Sequence, residues 1–430
     1  MAAPISVYLF IDLNSYFASA EQQANPKLRG KVIGVCEHSG GIILAPSREA
    51  KKLGIKTGQA TWEAKKIYPG IILLPVNPAR IRALTSRFYR IAEDYSDNVE
   101  HVSVDEVSVN LTGVSFSYAD AVSIAKEIKQ RMKTDLGEWV TGSIGIAESR
   151  LLAKIATDLE KPDGLVVIVN SRSDLEKFHR SDLGAGKIVC KDDLYDLLEL
   201  EDIPGIGSRL GHSLRQKGIA TLKQLADTDL YKLHDWYGMT GVWLYDLSHF
   251  VDAWRYFDLD DRGIKSVGHQ YSLGKRNALY TKNKVEGLFW KLTEKVTARM
   301  RKGDLMGSTV SVYFRYAYGG GVGGSRRTQD LFDDSPTVVK VAERWLKEIQ
   351  YQKGITYVAV TVSGLLPKVE QGMLFSKDKQ RQELSLYIDK INERFGDLTV
   401  KYAPTLEAGE KATDTVGFGR TRERLDWDEE

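Results

Sequence analysis

Apolar and polar positions along the first 170 residues fall into two rhythms. Short apolar runs at 5–11, 41–45, 71–75, 140–147 and 165–169 predict buried strands, and the valine–polar alternation of 99–111 predicts a half-buried one. Helical spacing of apolar residues separates them at 14–22, 47–53, 61–67, 79–95, 118–136 and 150–159. Strands mixed with helices in this way predict an α/β or α+β domain to about residue 170. From about 173 to 257 the pattern is helical throughout, including a helix over 208–217 ended by Gly218. Residues 258–265, acidic and then basic, read as a linker. Mixed structure returns over 267–368, with helices at 284–302 and 337–350 and strands at 308–318 and 356–363. The glycine run 319–324 reads as a loop joining two strands; no Gly-Lys-Ser/Thr follows it, so it is not a phosphate-binding P-loop. An amphipathic helix is expected at 379–395, and 417–430 reads as a polar, flexible end. No internal repeat is present.

Composition changes this picture little, but charge distribution changes it more. The 430 residues, 42% hydrophobic and 27% charged, suit a soluble chain of roughly three domains. Two cysteines, Cys36 and Cys190, are too few for a disulfide framework and point to a reducing cytoplasm. No run approaches the ~20 apolar residues of a membrane span, and the short apolar start lacks the flanks of a secretory signal. Residues 1–266 carry 33 basic and 36 acidic side chains, 267–368 carry 17 and 8, and 369–430 carry 10 and 14. The basic module is either a polyanion-binding domain or a lysine-rich solvated surface.

Candidate chemistry begins with carboxylates. Asp12 closes the first apolar run, and Asp105-Glu106 interrupts the alternating strand at Ser103-Val-Asp-Glu106. Charges beside a half-buried strand cost free energy unless paired or metal-bound. Three hard carboxylates brought together suit Mg²⁺, which keeps waters for substrate phosphates. Phosphoryl transfer gains from two such ions about 4 Å apart. One difficulty stands: adjacent residues on a regular strand face opposite ways. Asp105 and Glu106 therefore converge only if the strand turns or bulges there, and solvated strand-end acids remain the alternative.

Three segments together carry a resemblance. Phe10-Ile-Asp-Leu-Asn-Ser-Tyr-Phe-Ala-Ser-Ala-Glu21, Ser103-Val-Asp-Glu106 and Gly145-Ile-Ala-Glu-Ser-Arg-Leu-Leu-Ala-Lys-Ile-Ala-Thr-Asp-Leu-Glu-Lys-Pro-Asp-Gly164 resemble, in order and spacing, the three catalytic motifs of Y-family translesion DNA polymerases. The bacterial DNA polymerase IV (DinB) and UmuC branches are the nearest likeness, over about residues 5–370. The resemblance implies a multi-domain α+β right hand. Its palm would be 1–15 plus 79–172, its fingers 16–78, its thumb 173–260, its linker 261–266 and its little finger 267–368, with a tail over 369–430. Asp12, Asp105 and Glu106, with the carbonyl of Leu13, match the ligands of two Mg²⁺ ions, for which Mn²⁺ could substitute. Phe17 matches the aromatic that excludes ribonucleotides, the alternative being a core aromatic. Lys161 matches the triphosphate-binding lysine, and the amides of Tyr16 and Phe17 could also cradle phosphate. The fingers depart from the pattern. Arg48 stands where a tyrosine is usual, Lys51 where an arginine is, and Ala45 where a hydroxyl residue is common; Asn14 and Ser15 vary too. Lysine supplies charge without a bidentate fork, so the grip on phosphate is shared between Lys51 and Arg48, unless Arg48 is simply a solvated helix residue.

Ile203-Pro-Gly-Ile-Gly207 ahead of a helix reads as a helix-hairpin-helix whose Gly205 and Gly207 amides approach a DNA phosphate, or as an ordinary glycine turn. Arg326 and Arg327 are expected to contact template phosphates without reading sequence. Gln371-Gly-Met-Leu-Phe375 resembles the peptide by which bacterial polymerases dock on the sliding clamp, with Gln371, Leu374 and Phe375 as anchors. The expected function is template-directed addition of dNTPs to a primer 3′-hydroxyl on primer-template DNA, with no proofreading segment, by a monomeric catalytic chain. Two rivals stay open: a catalytically silent scaffold for DNA and clamp, and a palm-type nucleotide cyclase.

Overall fold

The computed structural model describes residues 6–36, 41–114, 117–177, 186–252, 264–368, 376–396 and 398–409. The described residues divide into two compact units, one up to residue 252 and one over residues 264 to 409.

The first unit runs β1 (Tyr8–Leu13), α1 (Tyr16–Ala24), β2 (Ile33–Cys36), β3 (Ile43–Pro46), α2 (Arg48–Lys52), α3 (Thr61–Ile67), β4 (Ile72–Pro75), α4 (Pro78–Glu93), β5 (Val99–Ser103), β6 (Glu106–Asn110), α5 (Tyr118–Asp135), β7 (Gly142–Ala147), α6 (Arg150–Leu159), β8 (Leu165–Val169), α7 (Arg172–Lys177) and β9 (Lys187–Cys190). Helices α8 (Leu194–Leu197), α9 (Ser208–Gln216), α10 (Leu222–Ala226), α11 (Leu230–Tyr237) and α12 (Met239–Ser248) follow. The main sheet has the order β5-β6-β1-β7-β8-β9, and a small sheet has the order β3-β2-β4.

Period-two alternation explains how the main sheet is covered on both faces. Leu9 and Ile11 of β1 join Val107, Ile144, Ile81, Phe88 and Ile128 in one buried cluster under α4 and α5. Phe10 points the other way, into a second cluster with Leu151, Leu152, Ile155, Leu200 and Leu214. Burial on both faces is why β8 reads as an unbroken apolar run and why β7 is buried at every position. Helix α6 lies close on the sheet because Gly145 has no side chain: a Cβ there would come within 2.1 Å of the Ala153 carbonyl oxygen. Ser149 caps α6 by accepting the Leu152 amide.

The second unit contains β10 (Ser266–Ser272), α13 (Lys282–Lys302), β11 (Leu305–Tyr316), β12 (Gly321–Phe332), α14 (Ser335–Glu348), β13 (Ile355–Ser363), β14 (Leu366–Pro367) and α15 (Ser376–Phe395). Its sheet runs β10-β13-β11-β12, with β14 on β11. Val285, Leu288, Phe289, Leu292 and Val296 of α13 bury against Val310, Val312, Phe314, Val358 and Val360.

Four expectations differ from this fold. The single strand over 99–111 is a hairpin, β5 and β6, with Val104 and Asp105 in the turn. Strand β2 was not anticipated, and β9, parallel to β8, lies in the stretch read as helical. The glycine run is a turn only at Gly319-Gly320; Gly321, Gly323 and Gly324 already belong to β12. A Cβ at Gly321 or Gly323 would fall 2.4 Å from the Phe314 oxygen or 2.2 Å from the Val312 oxygen, so bare backbone is what lets β12 lie on β11. Ser266 of the expected linker begins β10, and 253–263 fall outside the described residues.

Described residues from 376 to 409 also pack on this unit. The Arg301 guanidinium of α13 donates to Asp389 of α15, and Trp290 lies 4.9 Å from the Tyr402 ring. Ala408, in a short turn over Ala403–Ala408, is 1% exposed. Residues 417–430 lie outside the described residues.

Candidate active site

The site is built at one end of β1. The register sets Asp12 opposite Glu106 of β6 on one side and Ser143 of β7 on the other. The turn between β5 and β6 is pinned by Val104, fully buried, and by the Leu13 amide, which donates to the Asp105 carbonyl at 2.9 Å. Asp105 thus occupies the turn, and Glu106 is the first residue of the returning strand. The backbone reverses at Val104-Asp105, so Asp105 and Glu106 are not neighbours on one straight strand and the objection that such neighbours diverge does not apply. The Ser103 hydroxyl donates to Asp105 Oδ1 at 2.6 Å and lies 3.3 Å from Glu106 Oε2.

Two lysines from α6 and the loop after it complete the cluster. Lys154 Nζ donates to Asp12 Oδ2 at 2.7 Å and also to Glu106 Oε1. Lys161 Nζ lies 2.7 Å from both Asp12 Oδ2 and Asp158 Oδ1. Burial pushes the Asp12 carboxyl up, but the two ammonium groups outweigh it and hold the pKa below its ordinary value. Both lysines are held above theirs: burial works against the charge, but Asp12 together with Asp158, and for Lys154 also Glu106, outweighs it. Asp105 goes the other way. Burial, with Asp12 and Glu106 adding repulsion, pushes its carboxyl up to about 6 against the Ser103 hydrogen bond.

The loop carrying Lys161 is tied to β1 by Asn14, whose Oδ1 accepts the Asp163 amide at 2.7 Å and the Thr141 hydroxyl at 3.2 Å. Arg48 of α2 donates to that same Thr141 hydroxyl. Lys51 is held below its ordinary pKa, first by burial and then by the charge of Lys161, with Asp12 and Asp105 opposing. Arg48 and Lys51 therefore belong to the same electrostatic neighbourhood as Lys161. Tyr16 and Phe17, at the start of α1, are both buried, with rings 5.7 Å apart. The Tyr16 hydroxyl donates to the Ile81 carbonyl at 3.0 Å and meets Thr85 at 2.8 Å, which makes that ring a core anchor.

Away from this cluster, Gly205 has a left-handed backbone (φ 103°) and Gly207 stands at the N-terminus of α9 with open space beside it. Arg326 and Arg327, on β12 opposite Val310 and Thr309, are exposed. Gln371, Leu374 and Phe375 lie outside the described residues.

Sequence reasoning did not single out Ser103, Lys154 or Asp158. A signal was present for two of them: Lys154, Asp158 and Lys161 are spaced 4 and 3 apart, the repeat of one helix face. Among the described residues, no three acidic, imidazole or thiol groups stand at the spacing of a ready-made metal site; Lys154 and Ser103 join the carboxylates instead. The donor set nonetheless fits a divalent cation. All the candidate ligands are hard oxygens, and the Asp105 carboxyl, pushed up first by burial and then by Asp12 and Glu106, is a group whose ionised form a cation would favour.

Comparison with known proteins bears on this geometry. The fold is that of Y-family polymerase structures: a Y-family DNA polymerase chimera superposes with a TM-score of 0.67 at 22% identity, covering 84% of this chain and 99% of its own. An insertion ternary complex of Dbh DNA polymerase gives 0.54 at 22%, with 84% and 99% covered. Residues 11–158 match the impB/mucB/samB family, and residues 264–382 match its C-terminal domain. DNA polymerase IV of Pelotomaculum thermopropionicum is 30% identical over 94% of this chain and 96% of its own. DNA polymerase IV 1 of Bacillus subtilis (strain 168) is 28% identical, with 96% of each chain covered. The chain belongs to the impB/mucB/samB family, the DinB-like Y-family polymerases.

Proposed function

We propose that this chain adds dNTPs to a primer 3′-hydroxyl by nucleotidyl transfer at the Asp12–Asp105–Glu106 cluster. Its class is that of its relatives, a DNA-directed DNA polymerase of the translesion type. The observation that carries the site is the convergence of three carboxylates, drawn from β1 and from the β5–β6 turn, beside Lys154 and Lys161. Family membership favours neither the cyclase nor the silent scaffold.

Asp12, Asp105, Glu106 and the Leu13 carbonyl would hold the divalent cations, two Mg²⁺ with Mn²⁺ as substitute. When bound, these ions supply Lewis acidity at the attacking and leaving oxygens. Lys161, Lys51 and Arg48 would steady the triphosphate, whose charge grows on the leaving pyrophosphate. The amides of Tyr16 and Phe17 sit at a helix start, where backbone N–H groups favour anions. Phe17 would close the floor under the sugar. In this reading 1–15 and 79–172 form the palm, 16–78 the fingers, 173–260 the thumb and 267–368 the little finger. Gly205 and Gly207 of the thumb, with Arg326 and Arg327, would grip DNA phosphates without reading bases. Gln371, Leu374 and Phe375 would dock a sliding clamp onto a monomeric catalytic chain. Among the described residues, no helix is long and apolar enough to cross a membrane.

Primer extension tests the site. Asp105→Ala or Glu106→Ala should lower extension at least about 1,000-fold, the scale expected when transition-state charge stabilisation is removed. Primer-template affinity should stay within about threefold. Retained extension in both variants would sink the assignment.

A further inference from the structure

We infer that Lys154 is a positioning residue that pairs with Asp12 and Glu106 of the carboxylate cluster and sets how tightly the cluster takes a divalent ion, with Asp158 as its alternative partner. This rests on the reading of Asp12, Asp105 and Glu106 as metal ligands. The Lys154 ammonium lies 2.7 Å from Asp12 Oδ2 and also bonds Glu106 Oε1, and these two residues face each other across β1 and β6. One ammonium thereby bridges two carboxylates that would otherwise repel. A divalent ion taking those oxygens competes with it directly, because an ammonium and a metal ion cannot share one lone-pair direction.

The backbone of α6 is not free to yield. Leu151, Leu152 and Ile155 are each 1% exposed, and the Ala153 carbonyl lies against Gly145. Movement is therefore left to the lysine side chain, which is 16% exposed. Asp158, one turn further along α6, already stands with Oδ2 3.8 Å from Lys154 Nζ and with its own side chain 40% exposed. Rotation about the outer bonds of Lys154 would exchange Asp12 and Glu106 for Asp158 without shifting the helix. Lys161 bonds both Asp12 and Asp158, so Asp158 offers each of the two ammonium groups a second partner beside Asp12. The metal affinity of this site is then a difference between cation and lysine for the same oxygens. Removing the lysine should tighten metal binding, and removing Asp158 should weaken it.

The test uses the full chain without DNA or nucleotide, titrated with Mn²⁺ while the electron paramagnetic resonance signal of the free ion is followed. Lys154→Met should bind Mn²⁺ about tenfold tighter than the unsubstituted chain. Lys154→Arg, which keeps the charge, should stay within about threefold of it, and Asp158→Asn should bind several-fold more weakly. In EDTA, Lys154→Met should also melt at a lower temperature than the unsubstituted chain and regain more on addition of Mn²⁺. Equal or weaker affinity in Lys154→Met, or tighter affinity in Asp158→Asn, would overturn the inference. Asp105→Asn separates the two levels. If it binds Mn²⁺ as the unsubstituted chain does, the metal-ligand reading itself fails; if only Lys154→Met is without effect, the competition alone fails.

Discussion

Glu294 offers a measurement of how the segment after residue 376 is joined to the second unit. It lies on α13, 8% exposed, and its Oε1 accepts the Tyr402 amide at 3.0 Å. Its Oε2 is buried without a hydrogen-bond partner among the described residues. Burial pushes its carboxyl from 4.5 up to about 7, with Asp389 adding to the rise and the Tyr402 amide, Arg301 and Lys401 opposing it. A carboxyl whose folded pKa lies above its unfolded one favours the folded state least where both forms are ionised. The unfolded chain releases its proton near pH 4.5, while the folded chain holds it to about pH 7. Stability is therefore lost as pH rises through that window and stays lost above it. At about 1.4 kcal/mol per pH unit, the window corresponds to about 3 kcal/mol. Glu294→Gln keeps the side-chain oxygen for Tyr402 and does not titrate. It should match the unsubstituted chain near pH 4.5 and exceed it by about 1–3 kcal/mol at pH 8, read from paired urea denaturation curves so that other titrating groups cancel. The same difference at both pH values, or a less stable variant at pH 8, would refute the reasoning.

Two further substitutions test the polymerase reading. Phe17→Ala should raise the ratio of ribonucleotide to deoxyribonucleotide incorporation by about 100-fold, measured in single-nucleotide extension; an unchanged ratio would leave Phe17 as a core aromatic only. Replacing Leu374 and Phe375 together by Ala should abolish stimulation of synthesis by a sliding clamp while basal extension is kept, and equal stimulation in both proteins would remove the docking role.

Where sequence and structure agree, the chain announces its elements locally. Helices α3 and α6 and strand β8 begin and end where their patterns do, because caps, burial period and flanking polar residues all give the same answer. Where they part, the deciding contact is remote or the signal is missing. The hairpin at Val104-Asp105 left only a phase slip, with valines at even positions 102 and 104 and at odd positions 107 and 109, and no glycine, proline or asparagine marks the reversal. Strand β12 was hidden because glycines carry no alternation to read, although their absent side chains are what bring β12 onto β11. The lysines of the cluster show the same division. Lys161 was legible through its motif, whereas the partners of Lys154 are fixed by the Asp12–Glu106 register and by the close approach of α6 at Gly145. Neither of those is a property of the segment around residue 154. The three carboxylates could thus be named as a set from sequence, but the Lys154 ammonium that bridges two of them follows only from packing. A substitution at Gly145 that lifted α6 from the sheet would therefore disturb the cluster without touching any of its charges.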